Sequence, residues 1–488
     1  MELRKLLVGL EGVKAKGDLK LDITGITRDS REVVKGNMFV AIKGFESDGH
    51  NYLKDAIANG ASTIVIEDIN SVKGLKDKVT IILTDNTRRF LAIASSNFYG
   101  NPSKKFKLIG ITGTKGKTTT TFMIKSILEK AGQKVGLIGT IATYIGDKKL
   151  EDSDRTTPEG DKLQKIFAEM VAENVEVVVM EVSSQSLKLH RVDGCDFDIG
   201  VFTNFSEDHI SEKEHPDMED YFNSKLKLFY MCKVGYANAD DLYTAKVKDL
   251  KENVEISTYG IDNYCNLLAK DITITNSSVD FKVKIGTKNE RVKAYIPGRF
   301  SVYNALAAIC VSQKFGASAD NIKEALEEVR VPGRSELVNN KKDLVIMIDY
   351  AHSPESLQSI LNAVKQYTKG KVISVFGCGG DRDNRKRPIM GEISGRIADY
   401  TIITSDNPRT EEPEKIVEQI EQGIKKTNGK YTVIVDRKEA IKEAIKMAKK
   451  QDIIVLAGKG HEPYQEINGV KHPFDERIIV REIINKMK

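Results

Sequence analysis

Apolar and polar positions along the chain fall into two repeating patterns. Short runs such as "MFVAIKG" (38–44) and "STIVIED" (62–68) are apolar and β-branched with polar flanks. They predict strands. Between them "NYLKDAIANGA" has helical spacing and stops at Gly60, which predicts a helix ended by a glycine. Together these segments make a small α/β unit, followed by the polar, proline-containing "YGNPSKKFK" (99–107), which reads as a linker.

From residue 106 the alternation becomes regular. "KLIGIT" is a buried strand, and a helix is predicted over 117–131. The strands "KVGLIGT" (134–140), "VEVVVMEVSS" (175–184) and "DIGVFTNFS" (198–206) follow, with helical segments between them. Fully apolar strands separated by helices predict a parallel sheet covered on both faces. The segment 254–296 alternates instead ("DITITNSSVDFKVKIG"), so an antiparallel edge is expected there, closed by helices over 304–315 and 321–329. After "RVPGRSE" (330–336) the pattern restarts. "LVIMIDYA", "KVISVFGCGG", "YTIITSDN", "YTVIVD" and "DIIVLAGKG" are five strands, each expected to lead into a helix. The fold class is therefore α/β. A small N-terminal α/β domain (1–103) precedes two doubly wound, mostly parallel domains (104–332 and 333–488). About three domains also suit 488 residues at roughly 150 per domain.

Composition narrows the function classes. The 75 basic against 70 acidic residues leave a net charge of +5. That is mild for this length and makes no case for nucleic acid or a membrane surface. The apolar run at residues 6–10 is too short for a signal-peptide core, and no stretch approaches the ~20 apolar residues of a membrane span. Five scattered cysteines (195, 232, 265, 310, 378) without a CxxC read as reduced thiols. The expectation is a cytoplasmic protein, and a monomer.

In doubly wound sheets ligands sit at the carboxyl ends of strands, where the most polar, glycine-rich stretches of this chain fall. The first is "GTKGKTT" (113–119), after "KLIGIT". Gly113 and Gly116 let backbone N–H groups of Thr114, Lys115 and their neighbours converge on an anion. Lys117 adds a point charge, Thr118 offers a hydroxyl to Mg²⁺, and Thr119 continues the helix N-terminus. The string departs from the strict G-x-x-x-x-G-K-T pattern, because Ile111 stands where its first glycine belongs. A glycine-rich turn with threonine caps has the same local chemistry.

In this setting "GTKGKTT" resembles the Mur ligase family, three-domain ATP-dependent amide ligases that build the peptide stem of the bacterial cell wall. The resemblance spans essentially the whole chain and implies the following roles. Lys117, Glu181, His209 and Lys225 form the catalytic set. Thr118 and Glu181 hold Mg²⁺ on ATP. Glu181, His209 and Lys225, the last as a CO₂-derived carbamate, hold a second ion. Without the family, His209 reads as a surface or capping residue and Lys225 as a solvated helix lysine. Asn304, Arg334, Asp349 and His352 match further ATP contacts.

The segment "ITRDSREVVKGNMFVAIKG" resembles a uridine-nucleotide-binding segment, with Ser30 on the nucleotide. Thr156, Thr157, Ser183 and Arg191, in "DRTTPEG" and "EVSSQSLKLHR", match walls of a muramoyl-peptide site. Two positions depart from the commonest family form: Arg155 for Asn, and Leu189 for a polar residue. "SDNPRTEEP" (405–413) matches the loop over the incoming amino acid. Arg382, Asp406, Asn407, Pro408, Arg409, Gly458 and Glu462 are its implied contacts.

A guanidinium at 409 suits a carboxylate and repels a bare ammonium. The resemblance therefore implies the member that adds meso-diaminopimelate to UDP-N-acetylmuramoyl-L-Ala-D-Glu. A lysine-adding form, a paralogue with a changed acceptor and a non-catalytic nucleotide-binding module are the alternatives. The 330–336 linker is the expected hinge for the C-terminal domain to swing over the central one. No single residue stands out as a general base.

Overall fold

The computed structural model describes residues 1–488 except 46, 76–78, 209, 212–213, 253, 342–343 and 488. By its internal contacts the chain divides into two units, Met1–Asn266 and Leu267–Lys488.

The first unit holds two sheets. The N-terminal one orders Lys14–Lys16, Thr80–Leu83, Thr63–Ile66, Met38–Val40 and Ile26–Thr27, all parallel except the first. Successive side chains of a strand face opposite sides, so Met38 and Val40 enter one core with Val65 and Ile82, while Phe39 enters another with Ile64 and Ile66. The expected helix runs Leu53–Ala58, and Gly60 beyond it takes φ 107°.

In the larger sheet six parallel strands run in the order Glu255–Gly260, Cys232–Asn238, Phe197–Phe202, Lys107–Thr112, Val177–Glu181 and Val135–Ile138. An antiparallel pair, Ala142–Ile145 and Lys148–Asp152, extends it beyond the last. The antiparallel edge expected at 254–296 thus lies elsewhere. Residues 255–260 pair in parallel with 234–238, whereas Lys270–Ile274, Val279–Ile285 and Lys288–Ala294 form a sheet of their own in the second unit. Alternation identified those strands correctly but carried no information about their partners.

The second unit also contains the helices Arg299–Lys314 and Ala319–Glu328. The first starts five residues before the predicted boundary, which places Asn304 inside the helix. Its N-cap, Gly298, has no side chain to cap the helix, so no start signal stands at that position. The last sheet orders Glu336–Leu337, Val345–Asp349, Ile453–Ala457, Val372–Phe376, Tyr400–Ile403 and Tyr431–Val433, parallel except for its first strand. Met347 packs with Leu361, Phe376 and Ile420 on one face, and Ile346 and Ile348 with Ile441 and Val480 on the other. The fifth predicted strand does not lead directly into a helix. A hairpin, Tyr464–Ile467 with Val470–Pro473, comes between it and the helix Glu476–Lys486.

The helix Met218–Tyr230, which carries Lys225, begins at Asp217, whose carboxylate accepts from the Asp220 N–H at 2.8 Å. Asp217→Ala should cost about 1 kcal/mol, the usual worth of an N-cap, measured as unfolding at lower urea concentration.

Candidate active site

In the first unit the three central strand ends meet. The chain leaves Lys107–Thr112 into Gly113 at φ 144°, where a Cβ would come within 2.0 Å of Thr203 Oγ1. Glycine is therefore required. Gly116, at φ 86°, is the N-cap of the helix Lys117–Lys130. The neighbouring strand end fastens the loop: Thr114 N donates to Asn204 O, Lys115 N to Asn204 Oδ1, and Thr203 Oγ1 to Lys115 O, at 2.7–2.9 Å. The Lys117 ammonium folds over the loop onto the carbonyls of Gly113 and Thr114 at 2.8 and 3.0 Å.

Glu181 is buried at the end of Val177–Glu181. Its carboxylate accepts from Thr118 Oγ1 at 3.0 Å, Thr140 N at 2.8 Å and Thr140 Oγ1 at 3.1 Å. Gly139 must lack a side chain, since a Cβ would stand 2.4 Å from Glu181 Oε1. Thr118 and Glu181, the two residues implied for magnesium on ATP, thus stand within hydrogen-bond distance of each other.

Lys225 is 1% exposed. Its Nζ donates to Gly113 O at 3.0 Å, the carbonyl that Lys117 also uses, and lies 4.2 Å from the Tyr221 ring centroid. Burial, and then the charge of Lys117, hold its pKa well below the usual lysine value. It is not the solvated lysine that its helix position alone would suggest. His209 lies outside the described residues. The nearby His215 is buried and serves packing: it bonds Asp220 at 2.6 Å and Ser184 Oγ at 2.9 Å.

Thr156 and Thr157 adjoin this centre. Thr156 Oγ1 is 3.1 Å from Thr140 Oγ1, and Thr157 Oγ1 donates to Glu181 O at 2.9 Å. The Ser183 N–H donates back to Thr157 Oγ1, and the Ser183 hydroxyl caps the short helix Ser184–Lys188. Arg191, buried, donates to Thr157 O at 3.2 Å and pairs with Glu159 at 3.0 Å. Arg155 and Arg88 meet the same carboxylate at 2.6 and 3.5 Å, and Arg28 approaches Asp161 at 3.6 Å. Arg155 also approaches Asp154 at 3.6 Å, so four guanidinium groups over three acids leave one positive charge to spare beside the threonines. Ser30 opens a short turn capped by Asp29, two residues after Arg28. Leu189 closes the short helix as its C-cap and supplies no polar group there.

In the second unit Asn304 is buried in its helix. Arg334 stacks 4.9 Å over the Tyr350 ring, and its buried Nε has no hydrogen-bond partner among the described residues. Asp349, at a strand end, accepts from Ser335 N at 2.8 Å, and burial pushes its carboxyl pKa up. His352 is exposed, with Nδ1 donating to Tyr350 O at 2.7 Å.

The predicted amino-acid loop is assembled from adjacent strand ends. Asp406 and Asn407 are buried, and Asn407 Nδ2 donates to Glu462 Oε2 at 2.8 Å. Gly380 is obligatory because a Cβ would lie 1.9 Å from Pro408 O, and Gly458, at φ 116°, because it would lie 2.4 Å from Asp406 Oδ2. Burial raises the Glu462 pKa. Arg382 is exposed. Arg409 adopts φ 52°, donates through Nη1 to Gly380 O at 2.7 Å, and pairs through Nε with Glu466 at 3.2 Å.

Sequence reasoning missed Thr140, Asn204, Lys459 and Glu466. Lys459, fully buried, bonds Asn407 Oδ1 at 2.9 Å and Glu462 at 3.3 Å. It sits within the quoted "AGKGHE", and Asn204 within "FTNFS". For Glu466 there was a signal: Asn468-Gly469 between two extended runs is a strong hairpin marker.

Among the described residues no helix is long and apolar enough to cross a membrane, and no three His, Cys, Asp or Glu residues cluster as a metal site. Family models match residues 22–99 (Mur ligase family, catalytic domain), 111–312 (Mur ligase middle domain) and 333–460 (Mur ligase, glutamate ligase domain). A curated relative from Caldanaerobacter subterraneus subsp. tengcongensis, a UDP-N-acetylmuramoyl-L-alanyl-D-glutamate--2,6-diaminopimelate ligase, is 50% identical over 97% of this chain and 98% of its own. The chain belongs to the Mur ligase family.

A relative of the same description from Clostridium botulinum is 48% identical to this Mur ligase over the full length of both. A solved structure of a UDP-N-acetylmuramoyl-L-alanyl-D-glutamate--2,6-diaminopimelate ligase superposes with TM-score 0.72 at 29% identity, covering 99% of each chain. The Thermotoga maritima MurF ligase, solved in complex with ADP, shares the fold at TM-score 0.61 and 20% identity, over 95% of this Mur ligase and 97% of that chain. Mur ligases are α/β enzymes of several domains, and the observed sheets agree with that class.

Proposed function

We propose that this Mur ligase joins 2,6-diaminopimelate to the D-glutamyl γ-carboxylate of UDP-N-acetylmuramoyl-L-alanyl-D-glutamate, using ATP, to make a peptidoglycan precursor. The observation that carries the acceptor is Arg409, a fixed guanidinium on the loop that also holds Asp406 and Glu462. The distal end of diaminopimelate bears a carboxylate and an ammonium. A cation beside acids complements both, whereas lysine offers only an ammonium. The relatives named above support the same reading.

A carboxylate and an amine do not condense in water, because the leaving oxygen is poor and the amine is protonated. In the proposed reaction the γ-carboxylate oxygen attacks the terminal phosphorus of ATP and ADP departs, leaving an acyl phosphate. The deprotonated α-amine then attacks the acyl carbon, phosphate leaves, and the amine proton is lost. The loop 113–119 cradles the ATP phosphates, with Lys117 leaving its two carbonyls to meet them. Asn304, Arg334, Asp349 and His352 serve the nucleotide, and the unpartnered Nε–H of Arg334 is free to donate to a ligand oxygen. Ser30, Thr156, Thr157, Ser183 and Arg191 orient the UDP-linked acid.

The hard oxygens gathered at Glu181, Thr118 and Thr140 fit Mg²⁺. Once bound, it would offset negative charge on the phosphoryl oxygens. Lys225, buried and with its pKa pushed down by burial and by Lys117, is suited in its deprotonated form to add to CO₂ through its lone pair and lose a proton, giving a carboxylate on a long stem. That group, with Glu181 and His209, is the proposed second magnesium site.

Phosphate release from purified protein, ATP, Mg²⁺ and the UDP-dipeptide tests the reading. Release is expected with diaminopimelate and not with L-lysine or D-alanyl-D-alanine. Release with lysine alone would reassign the acceptor, and no release with any amine would remove the ligase reaction.

A further inference from the structure

The hairpin after Gly458–Glu462 is strapped along the 405–410 loop. It turns at Asn468 and Gly469, both at positive φ (49° and 77°). Gln465 Nε2 donates to Asp406 O at 2.6 Å and Glu466 N to Asn407 Oδ1 at 3.0 Å. The Arg409 N–H donates to Glu466 O at 3.0 Å, and Asn468 N to Arg409 O at 2.7 Å. Arg409 is thereby held in the left-handed backbone region, which an arginine rarely adopts. Its side chain is fixed at two further points, Nε on the Glu466 carboxylate and Nη1 on Gly380 O. Gly379 leaves the space, since a Cβ there would sit 3.0 Å from Nη1. Arg409 Nη2 makes no hydrogen bond among the described residues.

We propose that Glu466 is a positioning residue for acceptor recognition: it holds the Nε edge of Arg409 so that the Nη2 side is kept ready for the distal carboxylate of the acceptor. The inference rests on the acceptor reading above. Glu466 acts in two opposing ways. Its charge competes with the incoming carboxylate for the same cation, while its bond removes the rotamer freedom that Arg409 would otherwise lose on binding. The ion pair is partly exposed, at 22% and 25% for the two side chains. Such a pair is worth little net, whereas ordering a long side chain is costly. Positioning therefore outweighs competition.

The test is steady-state kinetics of the full chain with ATP, the UDP-dipeptide and diaminopimelate, for Glu466→Ala and Glu466→Gln, alone and combined with Arg409→Ala. Glu466→Ala should raise KM for diaminopimelate about three- to tenfold, with kcat and the other two KM values unchanged. Glu466→Gln, whose amide oxygen still accepts from Nε, should stay near wild type. In the Arg409→Ala background Glu466→Ala should add nothing. A wild-type KM in Glu466→Ala, equal losses in both single variants, or the same loss without Arg409 would overturn the proposal. Wild-type protein that ignores diaminopimelate would remove the acceptor reading and this inference together. Failure of the variants alone to behave as stated removes only the inference.

Discussion

Lys225→Ala should nearly abolish ligation, with a rate about 10²–10³ below wild type, the scale lost when one preorganised charge-stabilising group is removed. Three features of Lys225 lead to this expectation. It is almost fully buried, its Nζ shares the Gly113 carbonyl with Lys117, and burial and that second cation both disfavour its charge. A neutral amine there can become a carbamate, and the alanine variant leaves a space where that carboxylate would stand. Added acetate or formate should therefore restore part of the activity at millimolar concentration, while chloride should not. Full activity in the alanine variant would remove the carbamate from the scheme. Far-ultraviolet circular dichroism and a melting curve separate a lost group from a lost fold, because Tyr221 on the same helix still bonds Thr114 and packs there.

The sheets were legible because buried parallel strands are continuous apolar runs, and their alternation with helices admits few topologies. The strand–loop–helix turn at 113–119 was legible because its glycines and Lys117 are adjacent in sequence. Residues acting across strands were not. Thr140 reaches Glu181 from 41 positions away, and Asn204 reaches Lys115 from 89. Neither threonine nor asparagine announces such a bond. The antiparallel pair 142–152 was hidden in a stretch too short and too charged to alternate clearly, and the segment 270–294 alternated well without revealing that it pairs with itself. The carbamate role of Lys225 was implied only by resemblance: the apolar face of its helix was visible in the sequence, but the burial of Lys225 against the Gly113 carbonyl was not.

Arg409→Ala should raise KM for diaminopimelate by roughly 10²-fold, the worth of a charge-assisted bond of about 3 kcal/mol, with KM for ATP near wild type. An equal loss for both substrates would contradict the assignment. The same substitution should also change which amine is accepted. Arg409 is the cation that balances Glu466; Asp406 lies on the same loop, and Glu462 is bonded to it through Asn407. Lys459 is fully buried and already bonded to Asn407 and Glu462, so it cannot replace the lost charge at the loop surface. Without the guanidinium the acids face the acceptor end with net negative charge. The ammonium of L-lysine is then attracted where it was repelled. Phosphate release with lysine should appear in Arg409→Ala at high lysine concentration and vanish again in Arg409→Ala/Glu466→Gln, which removes that acid. Lysine activity that is absent from the single variant, or unchanged in the double, would mean that the selection between the two amines is made by other residues.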